Sequence, residues 1–266
     1  MLMSWTSEEW REYFHKNAAS LLEIPWEAGV ALGDAERSAI AASVQEFQLG
    51  ESSEARHFQG LAKEYARRTG DVGYVFALRL FIAEEHRHAR DLGRVMDLAG
   101  IPRVGYTWPD AVFRWLRHRA GLELSIGVLV TAGIIAKVYY LALREATASP
   151  VLRRLCDQIL SDEVLHVRFQ CERLAILRAH RSRAMVWLRG ALQRWFFAGT
   201  CGVVWWKHRH ALRAGAFGLR RFRRACRTEM TEAVRLMDPR NYATGPVAEI
   251  RERGPIVGAV AEVQGR

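Results

Sequence analysis

Two stretches of this chain place a glutamate and a histidine where a hydrophobic core belongs, and that pattern limits what the chain can fold into. In the first, Tyr74 to Ala99, a helical reading turns Tyr74, Leu78, Phe81 or Ile82, Glu85, His88, Leu92, Val95 and Ala99 to one side, at spacings of three and four throughout. Seventy-eight residues after Glu85 the pattern returns, with Leu152, Cys156, Ile159, Glu163, His166, Gln170 and Leu177 on one face. A Glu and a His three residues apart on a helix point the same way, so one carboxylate and one imidazole can reach a single cation. One Glu-x-x-His is common by chance and reads as a solvated Glu beside a satisfied core His. Two copies on two apolar stripes reverse that reading, because buried carboxylates without partners each cost several kcal/mol. Coordinating cations is the least costly way to keep such groups inward.

The pattern extends upstream. A helix is expected from about residue 36 to residue 69 with Ile40, Val44, Phe47, Glu51, Glu54, Phe58, Leu61 and Tyr65 inward, which adds two carboxylates to its stripe. Gly70-Asp71 then turns the chain into the Glu85 helix, so these two helices form an antiparallel hairpin. Its counterpart is the pair at about 121–147 and 151–180, joined at Ser149-Pro150. The chain thus repeats a helix hairpin, and two hairpins make a four-helix bundle. Residues 101–120, with Pro102, Trp108, Pro109 and Trp115, are long enough to cross from one hairpin to the other.

A Glu from each of two helices plus a Glu-x-x-His from each of two others is the site of ferritin-like di-iron carboxylate proteins, and residues 37–180 resemble that superfamily. Gly50-Glu51-Ser52, followed by Ala62-Lys63 and Gly70, resembles the first metal helix of rubrerythrins. The cysteines, Cys156, Cys171, Cys201 and Cys226, are scattered without a Cys-x-x-Cys, so the rubredoxin module that rubrerythrins carry is not expected. The resemblance implies an all-α fold: a ferritin-like four-helix bundle of two antiparallel hairpins, with extra helices at both ends. It implies two metal ions bridged by carboxylates, iron first, with manganese or a mixed manganese–iron pair as alternatives, activating dioxygen or peroxide. The ligands it points to are Glu51, Glu54, Glu85, His88, Glu163 and His166. It also implies that Glu84 and Asp162, one position before the ligand glutamates, orient the opposite histidine. Arg87 would neutralise one of them, and Tyr140 would lie near the level of the metals. Surface charge competes as a reading of Glu84, Arg87 and Asp162, and ordinary packing competes for Tyr139 and Tyr140.

The chain departs from the pattern on the third helix. By the repeat, a Glu belongs near residues 129–134, but the sequence there is Leu129-Val130-Thr131-Ala132-Gly133-Ile134. Glu123 lies about two turns too early, and Glu145 sits beside the Ser149-Pro150 turn. Two divalent ions carry four positive charges, so three carboxylates leave one uncompensated in a low-dielectric pocket. The expected site is therefore asymmetric, with Glu51 and Glu54 both supplied by the first helix and the space beside Gly133 open to oxidant or substrate.

Outside the bundle, residues 1–36 read as a short helix and an irregular connection. Thr6 and Glu9 form a capping-box pattern, and Trp10, Tyr13, Phe14, Leu21 and Leu22 supply an apolar side expected to be core. No secretory leader is visible and the thiols suit a reducing compartment, so a cytoplasmic location is expected, with peripheral membrane contact as a variant. A single domain is expected over 1–238, with a loosely held tail over 239–266. From Arg173 to Arg227 there are fourteen Lys or Arg and no Asp or Glu, interleaved with Trp195-Phe196-Phe197, Trp205-Trp206 and Arg220-Arg221-Phe222-Arg223-Arg224. This region reads first as a packing helix with its arginines in solvent. Contact with an anionic membrane over residues 181–227 comes second and nucleic acid last. A spanning helix is set aside because central arginines such as Arg189 and Arg194 each cost roughly 3 kcal/mol in a bilayer.

Three functions fit these residues. One is an oxygen- or peroxide-dependent oxidoreductase acting on a small substrate. Another is a protein that oxidises, sequesters or detoxifies iron without an organic substrate. The last is a binding protein at an anionic surface whose metal site is degenerate. A homodimer is carried as a candidate assembly.

Overall fold

The computed structural model describes residues 2–52, 56–108, 111–112, 115 and 121–253. Over them the chain is all-α apart from a pair of very short strands. Helix α1 (Ser7–Ala18) starts at the capping box foreseen at Thr6 and Glu9. Its aromatic stripe is core: Trp10 and Phe14 are buried, and the Trp10 indole donates to Glu172 Oε2 at 3.0 Å, an oxygen that the Trp5 amide also reaches at 2.9 Å.

The long first helix expected over 36–69 is two helices, α2 (Asp34–Glu51) and α3 (Arg56–Thr69). Helix α2 ends at Ser52, whose amide turns back to Gln48 and Gly50. Gly50 and Ser52 are weak helix formers, and they fall where the periodicity of the flanking apolar residues hides the interruption. Glu54 lies outside the described residues. Gly70, at φ +78°, and Asp71, which accepts from the Tyr74 amide at 3.1 Å, then turn the chain into α4 (Val72–Leu98). Gln48 reaches the Ala89 carbonyl while Arg37, earlier on α2, reaches Gly100, later in the chain. The two helices therefore run antiparallel.

Helix α5 (Leu122–Ala146) and helix α6 (Pro150–Arg178) make the second hairpin at the predicted turn, with Ser149 as N-cap and Pro150 in the first turn. Arg144 pairs with Asp157 near the turn, and Glu123 with Arg178 at the far end. Helix α5 is long and apolar enough to cross a membrane, but 72% of its most apolar window is buried against the rest of the protein. Helices α4 and α6 also run antiparallel, since His88 meets Asp162 and Glu84 meets His166. Buried Arg173 joins α1, the α3–α4 turn and α6, donating to Ser7, Asp71 and Tyr65 at 2.8, 2.8 and 3.0 Å. Its charge is both paired and hydrogen-bonded, the condition under which a buried guanidinium is tolerated.

The basic region is two helices packed on this frame. Helix α7 (Arg183–Ala214) is fixed to α5 by Gln193, which donates to the Gly127 carbonyl at 2.6 Å and Thr131 Oγ1 at 2.8 Å. Helix α8 (Leu219–Met237) buries Phe222, Cys226, Met230, Ala233 and Met237. Arg220, Arg221, Arg223 and Arg224 are exposed, as the packing-helix reading requires.

The expectation of a loose tail from residue 239 is corrected over 239–253. Strand β1 (Leu2–Met3) pairs in parallel with β2 (Tyr242–Thr244), and α9 (Pro246–Arg253) follows. Tyr242 is buried and donates to the Leu236 carbonyl at 2.7 Å, and the Val247 amide donates to Ser4 Oγ at 3.1 Å. Few large apolar side chains are needed here, because backbone pairing and the buried residues Pro239, Tyr242, Val247 and Ala248 hold the segment. Residues 254–266 lie outside the described residues.

Candidate metal centre

Helices α2, α4, α5 and α6 surround one cluster. One ligand atom from each of Glu85, His88, Glu163 and His166 lies within 4.8 Å of the others. The i, i+3 spacing puts each pair on one face, and the antiparallel approach of α4 and α6 brings the two faces together. His166 Nδ1 is 2.8 Å from Glu85 Oε1 and 3.8 Å from Glu163 Oε1. His88 is fully buried and its Nδ1 has no hydrogen-bond partner. Glu51, from the end of α2, is buried beside them; it hydrogen-bonds Glu85 and accepts from the Tyr140 hydroxyl at 2.6 Å.

The other nitrogen of each imidazole is held across the bundle. His88 Nε2 is 2.9 Å from Asp162 Oδ2, and His166 Nε2 is 2.8 Å from Glu84 Oε2. Each histidine is thus oriented by the carboxylate that precedes the opposite glutamate, and both carboxylates are buried rather than surface charge. Arg87 pairs with Asp162 at 2.5 Å. Gln158 donates to both Asp162 oxygens, at 2.9 and 3.0 Å. Sequence reasoning missed Asn17, whose amide donates to Glu84 Oε1 and to Asp162 Oδ1, both at 2.8 Å. No local signal marks it: it lies near the end of α1, and its role follows from where the Trp10 and Phe14 face docks that helix.

Charge is concentrated here. Burial, then the nearby carboxylates of Glu85 and Glu163, push the Glu51 carboxyl well above its usual range, with the Tyr140 hydroxyl pulling weakly the other way. Burial and Glu85 also push Glu163 up. Burial works on Glu85 as well, but the hydrogen bond and charge of His166, with His88 and Glu51 behind them, hold its carboxyl down at about 2. Burial opposes a charge on His166, and its contacts with Glu163, Glu84 and Glu85 override that and raise it. Burial likewise opposes the Asp162 charge, yet His88, Asn17 and Gln158 keep that carboxyl below its ordinary value.

Helix α5, the third of the bundle, contributes no carboxylate among the described residues of the site. Glu123 is taken by Arg178, Arg181 and Arg189, and Glu145 by Arg144. The space beside Gly133 is open as expected, since the glycine lines a cavity, whereas directly over it a Cβ would stand 3.1 Å from Glu163 Oε2 and 3.0 Å from Val167 Cγ2. The glycine thus also lets α6 bring Glu163 in against α5. A cavity of about 200 Å³ passes beside it, lined by Glu51, Glu85, Glu163 and His166 at one end and Thr200, Val204 and His208 at the other. Its walls between are largely apolar, and Gln170 lines it with both amide atoms buried and unpartnered. Phe81 and Phe14 close over His166, with ring centroids 4.8 and 6.0 Å away. Tyr139 stacks on Phe47 at 3.5 Å, ordinary packing of the kind weighed for it.

No family model matches the chain, and neither the curated proteins nor the solved structures yield a match.

The bridging role of Asn17 has a measurable consequence. Asn17→Ala removes one donor from each orienting carboxylate, and loss of such an outer partner weakens metal binding by about 10-fold to 100-fold. We expect the lower end, since Arg87 and Gln158 still hold Asp162. Metal titration of the variant against the parent protein measures it, with the melting temperature as a check that α1 stays docked.

Proposed function

We propose that this chain is a ferritin-like di-metal carboxylate protein, and that it acts as an oxygen- or peroxide-dependent oxidoreductase on a small, largely apolar substrate. The observation that carries the reading is the doubled Glu-x-x-His whose two imidazoles are each held at Nε2 by a carboxylate of the facing helix, while Nδ1 of His88 is buried without a partner. A fixed tautomer with the free nitrogen turned inward is what a metal-binding histidine requires. The donor set of three carboxylates and two imidazoles suits iron or manganese. Burial first, and then the charge of Glu85, raises the carboxyls of Glu51 and Glu163, and a cation among these three would offset both effects. Directions within the bundle support the ferritin-like arrangement: α2 meets α4 and α5 meets α6 as antiparallel pairs. Glu36 of α2 meets Thr147 beyond the end of α5, while Glu51 meets Tyr140.

When bound, the metals would supply the redox chemistry and the activation of dioxygen or peroxide. Glu51, Glu85, His88, Glu163 and His166 would hold them, and Glu54, outside the described residues, is the fourth carboxylate in this reading. Glu84 and Asp162 fix the imidazoles, and Tyr140 keeps Glu51 in place. Phe14 and Phe81 exclude water from the His166 side. Gln170 offers a donor and an acceptor to a molecule in the cavity.

Metal analysis of protein grown with iron and manganese tests this directly, with two metals per chain expected. Glu51→Ala and Glu54→Ala, titrated separately, should each lose one equivalent or bind it far more weakly. Dioxygen uptake that continues past the metal stoichiometry in the presence of a reductant supports an oxidoreductase. Uptake that stops at stoichiometry points to iron sequestration instead, and fewer than two metals in the parent protein replaces the di-metal site with a mononuclear one.

A further inference from the structure

Helix α7 leaves an apolar face in water. Met185, Leu188, Leu192 and Trp195 recur along one side at spacings of three and four, a run roughly 15 Å long at 1.5 Å per residue, and Trp206 lies on the same side about three turns further on. Trp195 is 80% exposed, Trp206 62% and Leu192 60%, and Trp187 beside the stripe is 67% exposed. Exposed large apolar side chains following one another along one helix face mark an interaction site, unlike apolar residues scattered singly.

The surrounding charge selects the partner. Exposed Arg183, Arg194 and Arg213 flank the stripe or end it, and no Asp or Glu occurs between residues 173 and 227. The acidic side chains that approach α7 from other helices are already engaged: Glu123 by three arginines, and Glu46 by Lys207 at 2.7 Å. A second copy of the chain laid on this face would bring arginine against arginine with no free acid to pair them, which disfavours self-association. An anionic bilayer supplies both missing complements, since tryptophan rings settle at the headgroup boundary and arginines meet lipid phosphates.

The stripe also borders an opening. A second cavity of about 310 Å³ is lined by Trp108, Val112, Trp195 and Gly199, and it shares Thr200, Val204 and His208 with the cavity that reaches Glu163. We propose that the outer face of α7 seats in an anionic lipid surface, which sets the mouth of the cavity against the lipid. The docking stands on α7 alone and does not require that the centre holds metal.

Flotation of the full chain with vesicles tests it. Binding is expected to phosphatidylcholine vesicles containing phosphatidylglycerol and to be much weaker to phosphatidylcholine alone. Affinity should fall about tenfold or more between low and high salt, because exposed charges are screened. Leu192→Ser/Trp195→Ser should lose about tenfold or more in affinity with an unchanged melting temperature, since its apolar anchors are gone. Absence of binding by the parent chain overturns the proposal. So does binding that survives Leu192→Ser/Trp195→Ser but is lost in Arg220→Gln/Arg221→Gln/Arg223→Gln/Arg224→Gln, which would place the contact on α8. A parent dimer that ignores vesicles and dissociates in Leu192→Ser/Trp195→Ser also overturns it, assigning the face to a second copy. Metal content, measured without vesicles, reports separately on the metal-centre reading.

Discussion

His88→Ala/His166→Ala is expected to purify without stoichiometric transition metal from the same medium that loads the parent protein. Two of the five proposed donors are lost, and they are the two imidazoles that the facing helix orients, through Asp162 and Glu84. Metal in a site of this kind binds the folded state and not the unfolded chain, so its loss also removes the stabilisation that binding contributes. The substitution strips a partner from two buried carboxylates as well, and breaking a buried pair in this way costs roughly 3–5 kcal/mol. The apo forms should therefore differ in melting temperature too. Asp162→Asn separates ligation from packing: it keeps the shape and leaves both imidazoles in place, so the fold should persist while metal affinity falls by about 10-fold to 100-fold. Elemental analysis and calorimetric unfolding with and without chelator read both effects. Unchanged metal content and an unchanged melting temperature in the double histidine variant would mean that the site does not exist.

Gly215→Val should produce the largest purely structural loss. Gly215 caps α7 directly against α5: a Cβ at this position would lie 2.0 Å from the Ala142 carbonyl oxygen and 2.7 Å from its carbon. Both atoms are backbone, so no rotamer change relieves the contact and the helices must separate. Overpacking a core commonly costs 1–3 kcal/mol, and here about 3 kcal/mol or more is expected. For a chain of this size that is a fall in melting temperature of roughly 6–12 °C. Gly60→Ala is the control. Gly60 sits within α3, and a methyl group added there would meet no atom within 4 Å, so the change should stabilise by about 0.5–1 kcal/mol through helix propensity alone. Thermal unfolding in chelator isolates these effects from metal linkage. A Gly215→Val protein that melts with the parent would refute the close approach of α7 and α5.

The sequence by itself determined which faces of the helices turn inward and what chemistry interrupts them. Glu51, Glu85, His88, Glu163 and His166 were legible because a 3.6-residue period makes a polar residue on an apolar stripe visible without any partner. The same local logic located the Thr6 capping box and the Ser149-Pro150 turn, since caps and turns are decided within a few residues. It also showed that the third helix has no carboxylate near residues 129–134. Only the tertiary structure decided which inward faces meet. Periodicity gives no phase between helices, so the crossing of His88 with Asp162 and of His166 with Glu84 was implied by resemblance and not by spacing. Asn17 joined the site only because α1 docks through Trp10 and Phe14. The end of α2 at Ser52 was masked by an apolar rhythm that continues into α3. The pairing of Leu2–Met3 with Tyr242–Thr244 joins strands about 240 residues apart, a contact that no local window contains. Gly133 borders open space, as read from the sequence, and is also where α6 leans on α5, because a missing side chain says only that something can approach, and the packing of the neighbouring helix determines what does.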